Sequence, residues 1–315
     1  MRKIVVAGSI IVDRINEIGA YPGQGELTQI RSVSRAPGGL VPNTGRDMRI
    51  LAPEVPVAAF GMVGGDDDGR FATGALAASG IDVSGVAVSR GAATSFTDVM
   101  SVPGGERTFF TFPGASAAWG YDEFPFDRVS QGDIVLLGYF LLLEKVDAGD
   151  GLRILRELKS RGAMTAIDLV TENSDRYSLV RECLPFVDFL VVNETEAARL
   201  ADAADAADLR SVADALLGLG VRERVVIHHP GGAVSLSRDG AWTERPAVKL
   251  PPGFIKGKTG AGDAFCAGTL IGIFKGLPDG ETLELGTLAA VGALSAPGAT
   301  DGMRPIDELR RMLPS

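Results

Sequence analysis

The chain has 315 residues, 45% hydrophobic and 23% charged, enough core material for one large α/β domain or two modest ones and no sign of disorder. Its 31 basic and 40 acidic residues leave a net charge of −9, which lacks the electrostatic footprint of a nucleic-acid or anionic-membrane binder. Cys183 and Cys266 are the only cysteines and His228 and His229 the only histidines, so a disulfide framework, a cysteine-rich zinc site and a histidine-based metal or protease site all fall away.

The start, MRKIVVAGSIIVDRI, is a short apolar run broken by Asp13 and Arg14 and reads as a buried first strand, not a signal peptide. No apolar run reaches the roughly 18 residues of a membrane span, so the expectation is a soluble, cytoplasmic protein. Continuous Val, Ile and Leu runs at 3–8, 133–138, 163–168, 187–192 and 224–228 have the character of strands buried on both faces. The stretches 147–161, 194–201, 207–219, 262–275 and 282–294 carry helical periodicity. The alternation predicts a doubly wound, mostly parallel sheet with helices on both faces, one α/β domain over 1–315. Residues 14–36 and 92–114 alternate polar and apolar side chains instead, with Pro103-Gly104-Gly105 as a hairpin turn, and predict a small β-lid. Asp66, Asp67 and Asp68, followed by Gly69, read as a turn with a helix cap in preference to a metal site.

The string GKTGAGDAFCAG, 257–268, carries the most chemistry. Gly260, Ala261 and Gly262 directly precede a helical stretch, where unpaired N–H groups and the helix dipole favour an anion. Asp263 follows in the first turn, placed to take a proton from a hydroxyl that attacks a phosphoryl group; an ordinary glycine-rich turn is the bland alternative. A Walker A loop is excluded because GFIKGKT has three residues between its glycines where four are needed, and a dinucleotide fingerprint because Phe265 stands where the third glycine belongs.

Read with the other motifs, GAGDAFCAG resembles the C-terminal signature of the ribokinase-like (PfkB) carbohydrate kinases, usually D-T-T-G-A-G-D. Gly38-Gly39 with Asn43, Asp13 five residues after Gly8, GMVGGDDDG at 61–69 and NETE at 193–196 are similar to that family's other motifs, in its order and across the whole chain. The resemblance implies an ATP-dependent kinase acting on a hydroxymethyl group of a sugar or sugar-like acceptor. Asp263 is then the general base and Gly260, Ala261 and Gly262 the anion hole. Asp13, Gly38, Gly39 and Asn43 would hold the acceptor, and Tyr139, at a strand's C-terminal end, would touch it. Asn193 and Glu196 would organise Mg²⁺ through water near the ATP phosphates. His228 and Gly231 fall where the family has a nucleotide-lining Thr-x-Gly, here with Pro230 in place of its glycine. Lys258 departs from the Asp-Thr-Thr that helps hold a monovalent cation and can itself meet phosphate, so K⁺ is expected to be dispensable. The resemblance also implies a homodimer formed through the lids. The alternatives are a nucleoside kinase of the same fold, with Phe110, Phe112 and Trp119 stacking a base, or a non-catalytic sugar or nucleotide sensor.

Overall fold

The structure, a computed structural model, describes residues 2–102, 107–171, 176–205 and 208–312. Its strands are β1 (Ile4–Ala7), β2 (Ile11–Ile18), β3 (Ile30–Gly38), β4 (Val57–Gly64), β5 (Asp82–Ser89), β6 (Ser95–Ser101), β7 (Arg107–Phe112), β8 (Ile134–Phe140), β9 (Met164–Leu169), β10 (Phe189–Asn193), β11 (Arg224–His229), β12 (Gly232–Ser237) and β13 (Trp242–Pro246). The helices are α1 (Leu40–Leu51), α2 (Asp67–Ala78), α3 (Gly114–Ala118), α4 (Gly151–Ser160), α5 (Ser178–Arg181), α6 (Glu194–Ala201), α7 (Leu209–Gly218), α8 (Ala261–Lys275), α9 (Asp279–Leu294) and α10 (Ile306–Met312).

Nine strands form the main sheet in the order β13-β12-β11-β10-β9-β8-β1-β4-β5, parallel from β11 to β5 and antiparallel at the β12 and β13 edge. The parallel strands are apolar on both faces because helices cover both. Along β1, Val5 and Ala7 face a core that includes Leu155 of α4 and Leu216 of α7, while Ile4 and Val6 face one that includes Met48 of α1 and Leu270 of α8. The expected strands match this sheet to within one or two residues. The helix expected from 147 begins four residues later, at Gly151, because Gly149 lies at φ 117° inside a preceding irregular turn. Asp66 caps α2: one oxygen accepts the Gly69 N–H at 2.9 Å and the other the Thr94 N–H at 2.8 Å.

A second sheet, β3-β2-β6-β7, stands apart from the first. It draws on residues from Ile11 to Gly38, a wider span than 14–36, because Ile11 pairs with Gly38 and Asp13 with Ala36. Strands β6 and β7 pair antiparallel up to Ser101 and Arg107; the Pro103-Gly104-Gly105 turn between them lies outside the described residues. Pairing of Asp13 with Thr97, and of Thr97 with Thr111, fixes the faces. Side chains alternate along a strand, so Phe109 shares the Asp13 face while Phe110 and Phe112 lie on the other. Trp119 is fully buried in the body against Phe124, with ring centroids 5.7 Å apart, and is closed to any ligand.

Candidate active site

The GAGD segment opens α8. Gly260 is its N-cap at φ 78°, a left-handed conformation that disfavours side chains, and a Cβ there would come within 2.7 Å of the Ala299 carbonyl oxygen. The turn leaves the N–H groups of Gly260, Gly262 and Asp263 without a hydrogen bond to any described residue, while the Ala261 N–H leans on the Lys258 carbonyl at 3.4 Å. Three unpaired donors thus lie at the positive end of a 15-residue helix, where an anion is favoured; the third is the Asp263 amide, which the sequence reading did not include.

Asp263 itself is buried, 6% exposed, and two donors meet the same carboxylate oxygen. Asn43 Nδ2 donates to Oδ2 at 2.9 Å and the Tyr139 hydroxyl donates to it at 2.9 Å. Burial pushes the Asp263 carboxyl up to about 6, and the two hydrogen bonds pull against that rise. Asn43 is brought there by the first turn of α1, which starts at Gly39 and is tied to β1's following turn by the Leu40 N–H to Ser9 Oγ bond at 3.1 Å. Tyr139 sits near the end of β8 at φ 60°, unusual for a non-glycine residue, and its N–H donates to Asp168 Oδ1 at 2.9 Å.

Asp13 lies on the lid face beside Gly38, where any Cβ would collide with the Asp13 carboxylate, so glycine is the residue that leaves the acid room. Desolvation lifts Asp13 to about 6, with Arg107 pulling it down.

Asn193 and Glu196 form a capping box on α6. Glu196 N–H donates to Asn193 Oδ1 at 2.9 Å, and Asn193 N–H donates to Glu196 Oε2 at 3.0 Å. The other Glu196 oxygen accepts from Thr171 at 2.7 Å, so both oxygens are engaged. Burial raises the Glu196 carboxyl, and it lines a cavity of about 240 Å³ together with Asp168, Asn193, Tyr139 and Asp263. Among the described residues no group of three His, Cys, Asp or Glu side chains is arranged to cage a metal ion. Asp168, Asn193 and Glu196 offer the oxygen donors that Mg²⁺, which gives up its waters reluctantly, would take through them.

A second cavity, about 700 Å³, adjoins the first and is lined by Asn193, His228, Gly232, Lys258, Phe265 and apolar residues such as Val291. Lys258 is exposed at its edge. Gly231 is not in this lining; its N–H turns to His229 Nδ1 at 3.2 Å.

Asp168, Thr171 and Asp47 escaped the sequence reading. Asp168 ends a buried apolar strand, which is the signal that marks it; burial first, then Asp263 and Glu196, hold its carboxyl well above the ordinary range. Asp47 lies one turn beyond Asn43 on α1, fully buried with no hydrogen bond to either oxygen among the described residues.

Unpaired amides at a helix N-terminus, a buried carboxylate and two adjoining cavities at the carboxyl ends of a parallel sheet are the arrangement of an α/β phosphotransferase. Residues 1–306 match the model of the pfkB family of carbohydrate kinases, and the chain belongs to that family. It is 26% identical over 263 residues to an uncharacterized sugar kinase of Archaeoglobus fulgidus, covering 80% of this chain and 97% of that one. An ATP-dependent ribose-1-phosphate kinase of Halopiger xanaduensis is 28% identical over 302 residues, covering 94% and 92%. Among solved structures, the ribokinase of Arabidopsis thaliana complexed with ribose and ATP superposes with a TM-score of 0.81 at 22% identity, over 100% of both chains. The ribokinase-like fold and the kinase class are therefore those of this chain, a carbohydrate or nucleoside phosphotransferase.

The hydrogen bonds to Asp263 Oδ2 predict a titration. In a ¹³C NMR pH series the Asp263 carboxyl should titrate near 6, and Tyr139→Phe, which removes a bond that favours the charged form, should move it to higher pH. An unchanged or lowered value in the variant contradicts the arrangement.

Proposed function

We propose that the protein transfers the γ-phosphoryl group of ATP to a hydroxymethyl group of a sugar-like acceptor, with Asp263 as general base. The observation that carries this reading is the pairing of one buried carboxylate, fixed at a single oxygen by Asn43 and Tyr139, with the unpaired amides beside it. With Oδ2 occupied, Oδ1 is the oxygen left to accept the acceptor's proton as its hydroxyl oxygen bonds to the γ-phosphorus and ADP departs. The amides of Gly260, Gly262 and Asp263 meet the charge on the transferring group. A sensor would need no such base.

Asp13, Gly38, Gly39 and Asn43 bind the acceptor, the Asp13 carboxylate accepting from sugar hydroxyls. ATP occupies the larger cavity, its phosphates toward Lys258 and α8. Asp168, Asn193 and Glu196 would hold Mg²⁺ through water, and the ion would supply positive charge to the triphosphate. The second sheet acts as a lid that excludes water, a competing acceptor. Its exposed Val33 and Phe110, on the face opposite Asp13, support a homodimer formed through the lids. Among the described residues no helix is long and apolar enough to cross a membrane.

One observation favours the nucleoside reading. Phe109, 58% exposed, stands on the Asp13 face beyond Asp13 itself, where a base attached to a ribosyl acceptor would meet it.

A coupled assay across free sugars, sugar acids, sugar phosphates and nucleosides tests the reading. ADP formation should depend on one acceptor class, and Asp263→Asn should lower turnover by ~10²–10⁴-fold while ATP still binds. A variant that keeps more than about a tenth of wild-type turnover contradicts the base assignment. Asp13→Ala should weaken acceptor binding by about 1–3 kcal/mol and leave ATP binding unchanged in calorimetry. Equal weakening of both ligands would refute its role. Lys258 supplies fixed positive charge, so replacing K⁺ by tetramethylammonium should leave wild-type turnover unchanged, whereas Lys258→Ala should raise the KM for ATP. Several-fold activation of the wild type by K⁺ would overturn that part.

A further inference from the structure

One imidazole lies where the two cavities meet. His228, near the end of β11, is level with Asn193 in the register of the parallel strands and lines both the 240 Å³ and the 700 Å³ spaces. Its ring packs against Phe265 of α8, with centroids 4.9 Å apart. The Cε1–Nε2 edge faces the helix N-terminus, because a Cβ on Gly262 would lie 3.8 Å from Cε1 and 3.9 Å from Nε2. Neither ring nitrogen hydrogen-bonds to a described residue. Desolvation, reinforced by His229, lowers its pKa to about 4. A neutral imidazole carries one N–H and one lone pair. The ring is only half-buried, so a ligand entering the junction can meet an imidazole nitrogen and the unpartnered α8 amides together.

We propose that His228 is a further catalytic residue, whose Nε2–H donates a hydrogen bond to the phosphoryl group during transfer, beside the backbone donors of Gly262 and Asp263. The inference rests on the reading of the α8 N-terminus as the phosphoryl site. Ionisable groups surround the position: Asp168, Glu196 and Asp263 line the smaller cavity, and Glu194, His229 and Lys258 the larger. A neutral donor suits that setting. An imidazolium here would make Asp263 a weaker base, whereas a neutral N–H stabilises developing phosphoryl charge without doing so.

The test separates the N–H from the packing of the ring. His228→Phe keeps an aromatic face against Phe265 and removes the donor; His228→Gln restores an N–H donor without the ring. Each is measured for kcat, KM for ATP and Tm, with Asp263→Asn in parallel. The expected result is a kcat loss on the order of 10²-fold in His228→Phe, the size of a missing oxyanion-type donor, with KM for ATP and Tm little changed. His228→Gln should recover most of the loss. If the Phe variant lowers Tm, His228→Leu makes the same comparison. Wild-type kcat in His228→Phe, or a His228→Gln as slow as His228→Phe, overturns the role. If Asp263→Asn is dead while His228→Phe is unimpaired, the site reading stands and only the role given to His228 falls. If the wild type transfers no phosphoryl group to any acceptor, both fall.

Discussion

A carboxylate taken out of water reverts to its neutral form unless donors meet it, and the centre of this molecule is built around supplying them. Asn43 comes from the first turn of α1, 220 residues before Asp263, and Tyr139 from the end of β8, 124 residues before it. Both reach the same oxygen. The main sheet makes this possible, because its parallel strands bring the loops after β8, β9, β10 and β11 to one edge, and α1 packs against α8. The unusual backbone at Tyr139, held by the Asp168 carboxylate, sets where the phenol points.

The same edge separates two acids by environment. Asp263 receives two side-chain donors and the field of a helix N-terminus. Asp168 accepts the Tyr139 N–H and no side-chain donor among the described residues, and it is enclosed near Asp263 and Glu196. Burial raises both carboxyls, and the two side-chain donors pull the Asp263 value back, to about 6. The Tyr139 hydroxyl is held well above its ordinary pKa by burial and by these acids, so it stays a donor across the working range.

Legibility in the sequence followed the range over which each feature is encoded. The GAGD turn announces itself locally, since its glycines and the helix that follows lie within a dozen residues. The doubly wound sheet was readable because strands covered on both faces carry continuous apolar runs. Asp168 was missed because an acid at the end of such a run looks like any strand terminus until Tyr139 is seen to bond it. Alternation along β7 makes Phe110 and Phe112 stand out as a pair but does not give its phase; only pairing through Thr97 and Thr111 shows which face Asp13 occupies and that Phe109 shares it. Trp119 lies near the lid in sequence, yet its side chain belongs to the core beneath α3. The Asn43 and Tyr139 bonds to Asp263 join distant segments, and no local pattern encodes them.

The central claim is that a buried Asp263, poised near 6 by opposing effects of desolvation and hydrogen bonding, takes the acceptor's proton. The most direct measurement is the pH dependence of kcat/KM for the acceptor. A base must be deprotonated to act, so the account predicts a rate that climbs as pH rises through about 6 and levels off above it. A profile that stays flat down to the ordinary carboxylate range, about pH 4, would contradict the claim.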